Sequence, residues 1–372
     1  GLHGVMGYGF GAYEVHPTPD SGAVSFSREN LRAEAPDVGG SLQVASFNVL
    51  NYFSTIDDAG NICGPNADQG CRGADTPEEF TRQRDKIITA LLDMDADIVG
   101  LMEIENNAND EAVDDLISGL NAIAGEGTWE KVDTGPVGTD AIKVAFIYQP
   151  AAATPVGGYA VLDSSVDPRF NDEKNRPMLT QTFVENTYGE KVTVAVNHLK
   201  SKGSNCNDLG DPDTGDGQGN CNLTRTSAAE AIVDFLATDP TGSGDPDFLV
   251  IGDLNAYAME DPIVAIESAG YTDLLEQYVG TGWADGAYSF NFFSQSGYLD
   301  HALASPSILP RITGAGLWHV NADEPSGLDY NSFNQPGLYN PDEFRSSDHD
   351  PVVVGLCEAT PPVVEVSVSP DE

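Results

Sequence analysis

Polar side chains suited to metal binding and acid–base chemistry stand at the ends of several predicted strands. Near the end of the chain, the segment SSDHDPVVVGL places Asp348, His349 and Asp350 directly before a run of β-branched residues. Such a run is typical of a strand. Histidine changes charge near neutral pH, and a neighbouring carboxylate favours its charged form. For this motif alone, a polar turn leading into a strand is the alternative, with Asp350 as a turn residue before Pro351.

The same pattern recurs along the chain, where predicted strands end in an acid, an amide or an imidazole. The residues concerned are Asn48, Glu103, His198, Asp253, Asn255 and Asp300. In open α/β sheets, reactive groups gather at strand ends, where loops converge and solvent enters. Oxygen-rich sets with few basic residues are typical of sites for hard divalent cations. A turn, a solvated strand end or a satisfied core histidine explains each residue singly, but together they predict one site.

The elements that would hold these residues alternate between strands and helices. The sequence predicts strands over 41–49, 96–103, 143–148, 179–185, 192–197, 247–253, 299–304 and 352–356, and helices over 76–94, 110–124 and 226–237. The first helix has the clearest start, because Thr76 can cap it, Pro77 fits its first turn and Glu79 completes a capping box. Mixed strands and helices without an internal repeat predict one large α/β domain.

The chain of 372 residues is strongly acidic, with 59 Asp and Glu, 17 Lys and Arg, and a formal net charge of −42 at pH 7. Such a charge keeps a protein soluble and repels polyanions at long range, most strongly at low salt. By itself it argues against a DNA-binding protein, and it fits a protein that works in salty surroundings. No apolar run approaches the length of about 18 residues that a membrane span requires, so no membrane insertion is expected.

Four of the five cysteines form two closely spaced pairs. Cys63 and Cys71 enclose GPNADQG, and Cys206 and Cys221 enclose a longer loop rich in Asp and Gly. Both loops have little apolar surface of their own, so local disulfides are favoured and imply an oxidising compartment. Metal ligation is the alternative, although neither pair has the CxxC spacing. Cys357 is left over, either free or paired outside this chain.

Three segments fall outside the predicted strands and helices that carry the site. Residues 1–40 contain GVMGYGFGAYEVHP, a glycine-rich strand pattern rather than a phosphate loop, because no helix pattern follows the glycines. Residues 358–372 carry paired prolines and alternating valines, and they are interpreted as a C-terminal linker towards a further domain. The loop at 208–220 is a candidate structural Ca²⁺ site without the EF-hand spacing, and a flexible acidic loop is the alternative.

Six segments together resemble the endonuclease/exonuclease/phosphatase family: FNVLN, LMEIENN, NHLKSKG, GDLNA, LDHALAS and SSDHDPV. The likeness covers 41–357 and is closest to the large extracellular nucleases of marine and other Gram-negative bacteria. Residues 1–40 resemble the end of an upstream OB-fold-like domain. The resemblance implies a four-layer α/β sandwich, with two mixed β-sheets packed face to face and helices on the outside, as in pancreatic deoxyribonuclease.

The resemblance also implies how a metal would be held. Glu103 matches the carboxylate that binds the catalytic divalent ion, with Asn48 beside it and Asp348 as a further acid on the metal side. The expected ion is Mg²⁺ or Mn²⁺, since it neutralises the charge that develops on phosphate oxygens during hydrolysis.

Five further residues match catalytic positions of the family. Asp253 resembles the residue that orients or deprotonates the attacking water, and Asn255 resembles its partner on the phosphate. His198 matches an imidazole that donates to a phosphoryl oxygen. Asp300 and His349 match an Asp–His dyad, in which the carboxylate holds one ring nitrogen while the other faces the phosphate. Such a pairing stabilises the cationic ring.

Basic residues near this set predict contacts with a negatively charged substrate. Arg176 resembles a family residue that contacts the phosphate, on the match of Arg-Pro alone. Lys200 and Lys202 follow His198 closely and predict a local basic groove on an acidic body. Ordinary solvated side chains are the alternative for each of them.

The expected protein is therefore a secreted or surface-attached, metal-dependent nuclease. Its expected partner is extracellular DNA, cleaved with little sequence preference, and it is expected to act as a monomer. A lipid phosphodiesterase or phosphoinositide phosphatase of the same fold would need an exposed aromatic hairpin, and YSFNFFSQSGY at 288–298 is the nearest stretch. A non-catalytic, Ca²⁺-stabilised surface module is the alternative from another class, and it leaves the residues at the strand ends unexplained.

Overall fold

The computed structural model describes residues 4–9, 12–18, 32, 34–58, 60–292, 295–332 and 336–358. The chain divides into two compact units, residues 1–32 and 33–372. In the first unit, the strands β1 (Gly4–Gly9) and β2 (Ala12–Pro17) form an antiparallel hairpin. The proposed linker at 358–372 lies outside the described residues except for Glu358. None of the described helices has the length and apolar character needed to cross a bilayer.

The second unit contains sixteen strands and five α-helices in the part of the chain that the structure describes. The strands are β3 (Leu42–Tyr52), β4 (Asn61–Cys63), β5 (Gln69–Gly70), β6 (Ile98–Glu105), β7 (Glu130–Lys131), β8 (Ile142–Tyr148), β9 (Ala153–Leu162), β10 (Arg176–Glu185), β11 (Lys191–His198), β12 (Phe248–Asp253), β13 (Thr272–Asp273), β14 (Phe290–Phe292), β15 (Gln295–Gly297), β16 (Asp300–Ala304), β17 (Ile312–Leu317) and β18 (Val352–Leu356). The helices are α1 (Pro77–Met94), α2 (Glu111–Ala124), α3 (Asn222–Leu236), α4 (Asp261–Ser268) and α5 (Leu274–Tyr278).

Twelve of these strands form two six-stranded mixed sheets. The first has the order β17-β18-β3-β6-β8-β7 and the second the order β13-β16-β12-β11-β10-β9. Each contains one parallel pair, β3 with β6 and β11 with β12, and antiparallel neighbours elsewhere. Buried residues of both sheets, such as Val44 and Val144 from the first and Val194 and Leu249 from the second, share one hydrophobic cluster. The two sheets therefore pack face to face around a common core.

Helices cover the outer face of each sheet. On the first sheet, Leu91 of α1 and Leu116 of α2 belong to a cluster with Val99 of β6. On the second, Ile232 of α3 and Ile263 of α4 cluster with Val250 of β12. Since each helix buries one apolar face against a sheet, the architecture is helix–sheet–sheet–helix. The predicted four-layer α/β sandwich is confirmed.

Helix α1 begins as the sequence predicts, with one difference in the cap. The Thr76 side chain accepts a hydrogen bond from the Glu79 backbone N–H at 3.1 Å, a contact whose loss costs about 1 kcal/mol in other helices. The Glu79 carboxylate does not close a capping box on Thr76. It accepts instead from the backbone N–H groups of Asp75, at 2.9 Å, and Ser332, at 2.6 Å, which ties the helix start to a distant loop.

Most element boundaries agree with the sequence prediction, which misses the short helices α4 and α5 and, for a shared reason, the strands β9 and β17. Helix α3 begins at Asn222 rather than 226, and β10 begins at Arg176 rather than 179. Strands β9 and β17 leave no clear strand pattern in the sequence. Each carries two glycines, and β9 is an edge strand whose central residues are largely exposed. Neither therefore has the alternating apolar pattern on which strand prediction depends.

Both predicted disulfides are present, Cys63–Cys71 and Cys206–Cys221, and Cys357 is free and partly exposed. Carboxylates of the 208–220 loop have protein partners: Asp208 pairs with Lys174 at 2.8 Å. Asp211 accepts from the Thr224 backbone and hydroxyl at the start of α3. Within the described residues, no three of the loop's carboxylates form a group of ligand atoms. The Ca²⁺ interpretation of this loop stays a prediction.

Candidate active site

The predicted site residues lie at one edge of the sandwich. Strands β3, β6, β11 and β12 end there, and β16 and β18 begin there because they run antiparallel to their neighbours. Since each strand end contributes one polar residue, residues far apart in sequence meet in space. Glu103, His198, Asp253, Asn255, Asp348 and His349 line one cavity of about 630 Å³.

Four of the residues form a row across the second sheet. Arg176 pairs in register with His198, His198 with Asp253, and Asp253 with Asp300. Side chains of directly paired residues project from the same face of a sheet. The strand pairing alone therefore aligns a guanidinium, an imidazole and two carboxylates.

On the first sheet, irregular backbone re-aims Asn48 and Glu103. The β3–β6 ladder shifts register after Asn48, and the β6–β8 ladder shifts between Leu101 and Ile104. Glu103 has φ of 63°, a conformation in which side chains other than glycine are strained. Bulges of this kind turn a side chain out of the regular alternation. The Glu103 carboxylate is held by the Asn51 backbone N–H at 3.0 Å and faces the Asn48 amide at 3.4 Å.

Asp300 and His349 form the predicted Asp–His pair. Nδ1 of His349 lies 2.7 Å from Oδ2 of Asp300, which also accepts a hydrogen bond from the Ser289 hydroxyl at 2.6 Å. Burial alone would lower the pKa of His349, but the charges of Asp300 and Asp253 outweigh burial and raise that pKa well above its ordinary value. The ring is therefore cationic at neutral pH. Its Nε2–H faces the cavity, 3.9 Å from Asp253.

His198 is the electrostatic opposite of His349. Burial, followed by the charges of Arg176 and His349, lowers the pKa of His198 well below its ordinary value, so the ring is neutral. Its Nε2 lies 3.5 Å from Asp253 and 3.8 Å from Glu103. A neutral imidazole with its proton on Nε2 is still a hydrogen-bond donor at this point.

Asp253 stands at the centre of the site. One carboxylate oxygen lies 3.4 Å from the Asn48 amide and within 4 Å of both imidazoles, and the other accepts the Asn255 backbone N–H at 2.9 Å. Burial raises the pKa of Asp253 to about 7, and the charge of Asp300 adds to that effect against the opposing charge of His349. A carboxylate in this range can take up a proton at neutral pH.

Asn255 lines the cavity, but its side chain is already engaged. Its Nδ2 donates to the Leu199 backbone carbonyl at 3.1 Å, and its backbone has φ of 48°. The amide therefore ties the loop after β12 to the end of β11. The side-chain oxygen of Asn255 and its second N–H remain for the predicted contact with the phosphate. That role stays a prediction.

The donor set at this edge fits a divalent cation. Burial, and then the charge of Asp348, raises the pKa of Glu103, which shows that the two acids repel each other in a partly dry site. No lysine or arginine in the described structure lies within 4 Å of Glu103. A hard cation between these acids would relieve that repulsion. Asp253, Asp300 and His349 also bring ligand atoms within 4.8 Å of one another, although the His349 ring is already bound to Asp300.

The three predicted substrate-binding cations occupy different places. Lys202 lines the catalytic cavity, where it pairs with Glu260 and lies 4.4 Å from the centre of the Tyr257 ring. Lys200 lines a second cavity of about 500 Å³ instead. Arg176 is buried beside His198 and lies 3.0 Å from Asp140.

Some residues at the site carried no signal of catalysis in the sequence, although Ser289 and Phe290 lie in the aromatic stretch at 288–298. Ser289, Tyr257 and Phe290 come from loops and a short hairpin, and only the fold brings the Phe290 ring to 4.6 Å from the His349 ring. Asp350, interpreted above as a turn residue, is fully buried. It accepts three backbone N–H groups at 320–322 and pairs with His319. It therefore fixes the loop that packs behind His349.

His301, next to Asp300 on β16, faces the opposite side of the sheet because side chains alternate along a strand. Its Nδ1 lies 3.1 Å from Asp273 and its Nε2 2.8 Å from the Ala256 carbonyl. Both partners are acceptors, so the ring satisfies them only when it is doubly protonated. Burial opposes this charge, but the hydrogen bond and charge of Asp273 outweigh burial and raise the pKa of His301.

This buried cation predicts a pH-dependent contribution to stability. Its stabilisation is complete below the unfolded pKa of about 6.5 and is lost as pH rises through the raised folded value. We expect His301→Gln to lower the free energy of unfolding by about 1–3 kcal/mol at pH 5.5, and the difference from wild type to shrink as pH rises. Urea unfolding of both proteins between pH 5.5 and 9 measures this, and a difference that is constant with pH would contradict it.

Comparison with known proteins supports the fold described above. The model of the Endonuclease/Exonuclease/phosphatase family matches residues 45–349. A member of that family from Bacteroides thetaiotaomicron superposes with a TM-score of 0.51 at 17% identity, over 84% of this chain and 96% of that chain. A mannosyl-6-phosphatase from B. thetaiotaomicron VPI-5482 gives 0.52 at 18% identity, over 85% and 99%. D. rerio TDP2, humanised by 14 mutations, gives 0.51 at 12% identity, over 85% and 98%. At these identities the similarities establish the fold. No curated protein matches the sequence significantly.

Proposed function

The chain belongs to the endonuclease/exonuclease/phosphatase family, and on this premise we propose that it is a secreted, divalent-metal-dependent nuclease that hydrolyses phosphodiester bonds in DNA with little sequence preference. Members of this family hydrolyse phosphodiesters or phosphate monoesters. The observation that most supports the nuclease is the placement of Asp253 between a neutral and a cationic imidazole, in a cavity that also holds the acidic pair Glu103 and Asp348.

In the proposed mechanism, Asp253 orients the attacking water and takes its proton. Its raised pKa suits a base at neutral pH. Neutral His198 donates from Nε2 to a nonbridging phosphate oxygen, and the Asn48 amide holds the Asp253 oxygen at 3.4 Å. These groups stand in place before substrate binds, so their reorganisation adds little to the barrier.

The cation of His349 acts on the other side of the phosphate. Its Nε2–H donates to oxygens on which negative charge develops, while Asp300 and Ser289 hold the ring in one orientation. A divalent ion held by Glu103, with Asn48 and Asp348 beside it, would supply positive charge to the phosphate. Mg²⁺ and Mn²⁺ are the ions that oxygen donors of this kind favour.

Nucleic acid as the substrate is supported by the local charge around the site. Arg176, Lys200 and Lys202 lie at or beside the two cavities of an otherwise acidic chain. Phosphate contacts of this kind supply most of the sequence-independent affinity for DNA. The two disulfides support secretion, because such bonds persist in oxidising compartments. The likeness to large extracellular nucleases of marine-type bacteria, DNA as the partner and a monomeric state remain parts of this proposal.

One observation favours a second candidate, a lipid phosphodiesterase or phosphoinositide phosphatase. The hairpin of β14 and β15 carries Phe290 and Phe292 beside the cavity, and the Phe292 side chain is 55% exposed. An exposed aromatic at a hairpin can enter the interface of a membrane. The same rings could equally stack on bases, so substrate assays must separate the two.

A plasmid-nicking assay tests the proposed function. We expect wild-type protein with Mg²⁺ or Mn²⁺ to convert supercoiled plasmid to nicked and linear forms, and excess chelator to abolish the conversion, because the acidic pair needs the cation to bind phosphate. The products are separated on agarose gels. Sphingomyelin, phosphoinositides and mannose 6-phosphate serve as competing substrates under the same conditions.

The outcomes discriminate between the candidates. Turnover of a lipid or a sugar phosphate with intact plasmid would replace the nuclease by another activity of this fold. A protein inert on every substrate with every metal would favour the Ca²⁺-stabilised surface module, and metal-independent nicking would overturn the assigned role of Glu103.

A further inference from the structure

Arg176 is a buried guanidinium with spare donors. The residue is only 8% exposed, and its Nε lies 3.0 Å from Asp140. Within the described residues, its buried Nε lacks a hydrogen bond of good geometry, and its two terminal nitrogens, which are not fully buried, have no hydrogen-bond partner in the protein. Buried guanidinium groups are normally saturated with acceptors. The unused donors beside His198 therefore point to an anionic ligand.

Lys200 extends this positive region away from the catalytic cavity. It lines the second cavity, and the next residue, Ser201, lines the catalytic one. The Lys200 ammonium has no carboxylate within 4 Å in the described part of the chain, while its backbone N–H is fixed by the Asn175 side chain at 2.9 Å. A lysine that is placed by its backbone and has no carboxylate partner is available to a phosphate.

Arg72 completes the group, although no sequence motif indicates it. It directly follows Cys71, and the Cys63–Cys71 disulfide closes the β4–β5 hairpin beside it. Its Nη2 lies 2.5 Å from the same Asp140 that contacts Arg176. Asp140 thus bridges two arginines with one carboxylate, and Arg72, Arg176 and Lys200 together keep a net positive charge. We call these three residues the basic strip.

The strip acts on the site electrostatically. Arg176 pairs in register with His198 and Lys200 follows it by two residues, so two of the three cations flank the catalytic imidazole. The second cavity is also lined by the carboxylates of Asp68, Asp140, Asp172 and Glu173, against the ammonium groups of Lys174 and Lys200, so the positive charge is confined to the strip itself. On a chain of net charge −42, such a region is the place where a polyanion is attracted rather than repelled.

We propose that the basic strip binds a second backbone phosphate of the nucleic-acid strand, adjacent to the phosphate that is hydrolysed. This inference rests on the proposed nuclease function and gives it a substrate class: polynucleotides, rather than isolated phosphodiesters or monoesters. Arg176 spans both phosphates, Lys200 and Arg72 hold the outer one, and the Cys63–Cys71 hairpin positions Arg72.

Binding without catalysis tests the strip directly. Fluorescence anisotropy of a labelled single-stranded 12-mer is measured in chelator over a range of salt concentrations, with wild type, Lys200→Gln and Arg72→Gln. Removing one phosphate contact should lower affinity about tenfold and reduce the slope of log K against log salt by about 0.7. Arg169→Gln is the matched control, because Arg169 pairs with Asp167 and Asp234 outside the strip.

Kinetics give the second readout. The ratio of kcat/KM on the 12-mer to kcat/KM on bis(p-nitrophenyl) phosphate should fall about tenfold in both strip variants, mainly through KM, and stay at the wild-type value in Arg169→Gln. The proposed role of the strip is wrong if the variants lose equally on both substrates or keep the wild-type salt slope. It is also wrong if the wild type does not bind the 12-mer at low salt. If the wild type binds the 12-mer through the strip but cleaves no DNA with any metal, the proposed nuclease function is wrong, and the proposed phosphate binding by the strip is retained.

Discussion

Asp253→Asn is expected to reduce the rate of DNA cleavage by about 10³-fold or more, the upper range for a positioned proton acceptor. Asparagine has almost the same shape and can still accept the Asn255 backbone N–H, which Asp253 holds at 2.9 Å. It cannot take a proton from water, and it removes the negative charge between His198 and His349. The loss should therefore appear in kcat, with KM for DNA nearly unchanged.

Single-turnover cleavage of a fluorescent oligonucleotide measures this effect, with circular dichroism to verify the fold. Asp97→Asn is a control, because Asp97, although less buried than Asp253, is also an aspartate whose pKa is raised by burial, to about 6. It precedes β6 at the opposite edge of the first sheet and bonds the Gln43 backbone at 2.7 Å. A folded Asp253→Asn protein that keeps more than a tenth of the wild-type rate would remove Asp253 from the proposed mechanism.

His349→Ala should lose about 10²-fold or more in cleavage rate. The substitution removes the only cationic imidazole that faces the cavity among the described residues, and it leaves the Asp300 carboxylate without its partner at 2.7 Å. Because the two residues act as one unit, Asp300→Asn should show a similar loss, and the double variant should lose far less than the product of the two.

The structure offers a second Asp–His pair as the control for this prediction. His319 lies 2.9 Å from Asp350 and stacks on Tyr288, but it does not line the catalytic cavity. His319→Gln, which keeps a hydrogen-bond donor, is expected to cleave DNA within about threefold of wild type, the scatter usual for a substitution outside the site. Multiplicative losses in the double variant of the first pair would show that Asp300 and His349 act independently. An equal loss in His319→Gln would show that the loss at His349 reflects stability rather than chemistry.

Sequence patterns sufficed where local physics decides the structure. Helix α1 was predicted to within one residue because its cap and its apolar periodicity both lie within twenty consecutive residues. The buried strands β6, β11 and β12 were predicted because each is a short apolar run that ends in a polar residue. The two disulfides were predicted because each closes a local loop. In contrast, the glycine-containing edge strand β9 gave no such pattern.

The sequence alone identified which residue types could do chemistry here, since Glu103, His198, Asp253, Asp300 and His349 each interrupt an apolar strand with a group that a core would not accept. Only the tertiary structure decided the charge state of each residue, and therefore its role. His198 and His349 are the same side chain next to apolar strands, yet one is neutral and the other cationic. Both rings are buried, so the difference comes from Arg176 beside the first and Asp300 against the second. Strand pairing across 22 residues of chain places Arg176, and the packing of one sheet on the other brings Asp300 to His349 across 49 residues. A charge state depends on what lies within a few ångströms in space, and that information is absent from a linear sequence until the sheets have formed.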